Sequence, residues 1–216
     1  MTDFISLQFL LTVFFLTIVY LHIAKKNFAA VVAYAIQSFV IVLLFFNSFL
    51  ETGKISLLFL AIILLAVKVV LAPVLFSRLY REQSLRFAGV SYLNTPLTLV
   101  VLAILTAIAH SEKLMPLTSI IIRNQSLLAL ALSAMLLSLF LIINRKGARM
   151  QIIGILSFEN SLVAFAIFAG LEQSFGLQIG IIFDIFVWLV IVTMFVSMIY
   201  KHFGSLNVTS MKQLKD

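Results

Sequence analysis

Three ionisable side chains stand deep inside otherwise apolar stretches of the chain: Lys68 in LLAVKVVLAP, Glu159 in IGILSFENSLVAFA and Asp184 in IGIIFDIFVWLVIV. Counted at helical rise, Lys68 lies about 20 Å from the start of its run at residue 55, Glu159 about 15 Å in from Arg149, and Asp184 about 12 Å in from Gly176. A hydrocarbon core is about 30 Å thick, so all three fall near its middle if these runs cross a bilayer. Charge at that depth is costly unless partnered, and it marks ion and proton pathways. Removal from water moves acids and amines alike toward neutral titration, which lets such groups take a proton from one neighbour and pass it to the next. One lysine neutralises one acid, so at least one of the two carboxylates is protonated or titrates. Two roles stay open for Lys68: a member of a proton path, or a static ion pair that locks its helix to the bundle. Gln37, in AYAIQSFVIV, is the parallel polar residue of the second run and is either a polar relay or an interhelical amide contact.

No other chemistry is visible. The chain has no nucleophile–base constellation, phosphate-binding glycine loop or dinucleotide fingerprint. It has no cysteine, which excludes disulfides and cysteine-ligated iron–sulfur clusters. His22, His110 and His202 all fall near the ends of apolar runs, a poor arrangement for haem or metal. The expectation is a chain without a catalytic site or cofactor of its own.

The elements that must position these residues are apolar. The chain is 63% hydrophobic and 11% charged over 216 residues, the composition of a polytopic membrane protein. Seven apolar runs stand out, at about 4–24, 28–50, 55–77, 94–110, 118–143, 149–171 and 176–200, and only the fourth is short for a span. The predicted fold is therefore all-α, with seven transmembrane helices. Lys25, Lys26, Arg78, Arg81, Arg86, Arg145, Lys146, Arg149, Lys201, Lys212 and Lys215 fall on one side of such a bundle; only Lys54, Lys113 and Arg123 fall on the other. That bias puts the N-terminus outside and the C-terminus in the cytoplasm. It also accounts for the net charge of +7 without invoking nucleic acid.

Local signals refine the picture. Thr95 reads as the cap of the fourth helix, with Pro96 at its first position. Pro73 cannot donate to the carbonyl of Val69 and should kink or loosen the third helix beside Lys68. Gly154, Ser157, Ser161 and Ala164 flank Glu159 at helical spacing and allow a neighbouring helix to come close; Gly180 is placed to do the same before Asp184. The segment RLYREQSLRFAGVSYLN reads as a surface-lying amphipathic stretch. The many phenylalanines provide lipid-facing and packing surface.

From about Asn144 onward the chain resembles the K subunit of bacterial complex I, related to the C subunit of multisubunit sodium/proton antiporters. The resemblance rests on the basic lead-in (Arg145, Lys146, Arg149), the mid-helix acid of IGILSFENSLVAFA, the second acid of IGIIFDIFVWLVIV and the tail SLNVTSMKQLKD. Over nearly its whole length the chain is similar to component E of hydrogenase-4 and formate hydrogenlyase-type complexes, where Gln37 in YAIQS and Lys68 with Pro73 in KVVLAP fit. The resemblance implies N-terminal helices in 1–143, a K-subunit-like three-helix unit in 118–200 and a cytoplasmic tail in 201–216. It implies Glu159 and Asp184 as relay carboxylates with Lys68 beside them; Asp184 departs from the glutamate usual there. It further implies a subunit of the bacterial cytoplasmic membrane whose partners are antiporter-like and quinone-module-like membrane subunits and peripheral redox subunits. Iron–sulfur clusters and a nickel–iron site would then belong to those partners.

Overall fold

The computed structural model describes residues 2–74, 76, 90–114, 125–169 and single positions between 179 and 201. Asp184, His202, the stretch 77–89 and the tail after 201 lie outside the described residues. Six helices are defined: α1 (Thr2–Ile23), α2 (Asn27–Thr52), α3 (Ile55–Leu64), α4 (Thr95–Ala109), α5 (Gln125–Asn144) and α6 (Ala148–Phe168). α3 widens into a π-helical turn over Leu65–Leu71 and then continues to Val74. There is no strand among the described residues. Among the described residues five stretches have the length and composition to cross a membrane: Ser6–Ile23, Phe28–Thr52, Ile55–Val74, Gln125–Asn144 and Met150–Phe168. α4 is apolar but shorter, as its run foreshadows.

Apolar sequence makes these helices, and local chemistry ends them. Gly53 takes a left-handed conformation (φ 67°) and returns its N–H to the Phe49 carbonyl, closing α2 within two residues of the next helix. At the start of α4 the cap is Asn94 rather than Thr95: the Asn94 side chain accepts from the Leu97 N–H at 3.0 Å, which pushes Thr95 into the first turn. Asparagine reaches this N–H well, and Pro96 is tolerated one place further in because first-turn N–H groups have no helical partner anyway.

Two hairpins form the body. α1 pairs with α2 and α5 with α6; the hairpins then join through α1 against α5 and α2 against α6, while α3 lies along α2 and α4 along α5. The interior holds two apolar cores. One gathers Phe14, Ile18, Phe45, Leu60, Leu64, Leu137 and Phe168; the other gathers Leu21, Tyr34, Ala72, Met150, Ile153 and Leu156. The outer face is apolar too, with Phe9, Phe28 and Phe59 strongly exposed, as a lipid-facing surface requires.

Arg145 departs from expectation. Its sequence position suggests a loop charge, yet the side chain is buried and its Nη2 donates to the carbonyls of Leu21, His22 and Ala24, at 2.5, 2.7 and 3.1 Å. The last carbonyls of α1 lack helical partners and carry the negative end of its dipole, so a guanidinium is a fitting cap. Burial lowers Arg145 to about 10, which leaves it cationic at neutral pH. The neighbouring backbone is stitched to the lead-in of α4 by Tyr92 N–H to Asn144 O and Lys146 N–H to Val90 O. The ends of α1 and α5 and the starts of α4 and α6 thus share one end of the bundle.

Gly154 supplies the close approach its spacing implies. A Cβ there would lie 2.9 Å from Ile142 Cγ1 and 3.2 Å from Ile142 N on α5. At Gly180 no described atom lies within 4 Å of the Cβ position. Replacing Gly154 by valine is expected to destabilise the protein by about 1–3 kcal/mol through overpacking. Thermal unfolding in detergent checks this; an unchanged midpoint would contradict the tight α5–α6 contact.

Candidate functional site

The two apolar cores are separated by a polar layer. On α2 the layer is Gln37 and Ser38, on α3 it is Lys68, and on α6 it is Ser157, Asn160 and Ser161; all six are fully buried. Each helix therefore carries apolar core residues on both sides of its polar ones, which sets the layer across the interior of the bundle.

Lys68 sits in the middle of the π turn, and the chain explains the turn. Pro73 has no N–H for the Val69 carbonyl, and just before it the Ala72 N–H reaches back five residues to the Val67 carbonyl. The wider turn changes the angular register of the helix, and Lys68 faces inward where a fully buried ammonium has oxygen partners. Its Nζ donates to Asn160 Oδ1 at 2.6 Å and stands 3.4 Å from Glu159 Oε1. Glu159 is about one-fifth exposed and lies toward the edge of the layer.

Further hydrogen bonds extend the layer. Asn160 Nδ2 donates to Ser38 Oγ at 3.0 Å, and Ser157 Oγ donates to Gln37 Oε1 at 2.5 Å. Ser161 Oγ donates to the Ser157 carbonyl at 2.8 Å and lies 3.2 Å from Ser138 Oγ on α5. Four segments are joined by side chains that, Glu159 apart, are fully buried. In an apolar bundle, leaving any of them without a partner would be unfavourable, so the layer also fixes helix register.

Of the residues singled out from sequence, Lys68 and Glu159 are brought together as a pair, and Gln37 takes the role of interhelical contact to Ser157. Asp184 falls outside the described residues. Asn160, Ser38 and Ser138 escaped the sequence reading. The signal was nevertheless present: Gln37-Ser38 and Glu159-Asn160 are consecutive polar pairs in apolar runs, and the second member of each joins α2 to α6. The two described histidines stand apart from this layer. His22 Nε2 donates to the Leu137 carbonyl at 3.0 Å with its ring stacked on Phe140, and His110 closes α4. Among the described residues no cluster of acidic or histidine side chains is placed to hold a metal ion.

Fold and site define an all-helical membrane protein with a charged, hydrogen-bonded layer inside it. Comparison of the chain with known protein families, characterised proteins and solved structures gives no match.

Removing one partner of the ion pair should be far worse than removing both. Glu159→Leu is expected to cost about 3 kcal/mol or more because it strands a buried ammonium, whereas Lys68→Met combined with Glu159→Leu should recover most of that loss. Denaturant unfolding in mixed micelles measures the difference; equal losses in the single and double variants would contradict the pairing.

Proposed function

We propose that this chain is a membrane subunit of a complex I-like, energy-converting oxidoreductase of the hydrogenase-4 or formate hydrogenlyase type, and that it relays protons through the Lys68–Glu159 site. The observation that carries the relay reading is an amine and a carboxylate 3.4 Å apart inside an apolar bundle, with the amine joined onward to Asn160 and through it to Ser38. Such chains of ionisable and polar groups are the material of intramembrane proton transfer. In this reading the seven runs are seven spans of the bacterial cytoplasmic membrane, with the N-terminus outside and the C-terminus in the cytoplasm. Asp184 on the seventh run serves as the second carboxylate. Redox chemistry, with iron–sulfur and nickel–iron centres, belongs to partner subunits, and antiporter-like and quinone-module-like subunits flank the chain. The assignment to this class of complex rests on the sequence resemblance.

A second reading has a definite observation in its favour. The short Lys68–Asn160 bond and the bond from Asn160 to Ser38 tie three helices together, as a purely structural clamp would. The two readings part at Glu159→Gln, which preserves shape and polarity but cannot carry the proton. The relay reading expects proton translocation by the assembled complex to fall by about a hundredfold. Wild-type translocation in an assembled Glu159→Gln complex would leave the clamp. Purification in mild detergent tests the assignment separately: antiporter-like and hydrogenase-like subunits should accompany the chain, and recovery of a stable homo-oligomer alone would overturn it.

A further inference from the structure

The two oxygen partners of Lys68 are adjacent on α6 but not equivalent. A bond from an ammonium to a carboxylate is ordinarily the short one. Here the neutral amide oxygen of Asn160 lies at 2.6 Å and the carboxylate of Glu159 at 3.4 Å. The amide is held in that orientation, because its Nδ2 donates to Ser38 Oγ at 3.0 Å. Turning it over would point its NH₂ at the ammonium and lose the bond to Lys68. Asn160, Ser38 and Lys68 are all fully buried, out of reach of bulk water.

We propose that Asn160 is the positioning residue for Lys68: its neutral oxygen fixes the amine beside Glu159 without adding charge, so the proton is not committed to the amine by a second carboxylate. The inference rests on the relay reading above and adds to it a residue that carries no proton itself. Among the described residues the titratable groups at this site are Glu159 on α6 and Tyr34 on α2, buried one turn before Ser38; the π turn supplies no other. With Glu159 as the carboxylate facing it and a neutral amide as its other partner, either member of the pair can hold the proton. A second carboxylate in the place of the amide would favour the ammonium form and move its deprotonation to higher pH.

Asn160→Asp makes that change with almost no change in shape, since the Ser38 hydroxyl can donate to the new carboxylate. The experiment is the pH profile of proton translocation in vesicles carrying the native complex, with assembly checked by subunit recovery. Asn160→Asp should move the profile to higher pH by about one to two units, the effect of one added neighbouring charge. Asn160→Ser, which keeps a neutral oxygen on a shorter arm, should leave the profile in place and slow transfer several-fold. A clamp without a positioning role predicts the wild-type profile for Asn160→Asp, and that result would overturn the proposal. Should Asn160→Asp not assemble, a wild-type rate in Asn160→Ser overturns it equally. Glu159→Gln in the same vesicles separates the two claims: a wild-type rate there sinks the relay itself, whereas loss there with an unmoved Asn160→Asp profile sinks only the role of Asn160.

Discussion

A lysine ammonium shut away from water must find its solvation inside the protein, and the interior of this bundle is arranged around that need. Lys68 has no exposed surface, and the oxygens nearest to it come from two consecutive residues of α6. Asn160 then has to be oriented, which Ser38 does from α2. The demand of one buried charge thereby sets the relative register of three helices. Apart from the Ser157–Gln37 bond, apolar packing holds them elsewhere, and such packing alone discriminates weakly between neighbouring registers when lipid and protein are equally apolar.

The π turn and the small residues of α6 serve this arrangement from two directions. Pro73 removes a helical donor, and the widened turn brings Lys68 to the inside of the bundle. On α6, Gly154 lets α5 approach within van der Waals contact, while Ser157 and Ser161 fill the next turns with hydroxyls that bond to α2 and to their own helix. The same stripe of small side chains thus permits close packing at one level and carries polar contacts at another. At the end of the bundle Arg145 does a comparable service for α1, where three carbonyls converge on a single guanidinium nitrogen.

Hydropathy made the helices legible because a bilayer-length apolar run has few alternatives, and the charges of Lys68 and Glu159 stood out against it. Their pairing was not legible: they are far apart in sequence, and Asp184 was an equal candidate for the lysine. Asn160 and Ser38 went unnoticed because neutral polar side chains are common in apolar helices, and only the fold reveals which of them meet. Arg145 misled for the opposite reason, since a basic residue between two apolar runs ordinarily lies at a membrane surface. The cap of α4 was misplaced by one residue, Asn94 and Thr95 both being good caps. The loosening beside Pro73 was foreseeable from covalent chemistry; its form as a π turn was not.

The central claim is that the Lys68–Glu159 pair exchanges a proton. Infrared difference spectroscopy of the native complex, stepped through pH with Glu159→Gln as the reference, observes this directly through the carboxyl band of Glu159. The account predicts a band that converts between carboxylate and carboxylic acid within the pH range where the complex translocates protons. A Glu159 that stays fully ionised across that whole range would contradict it and make the pair a fixed strut.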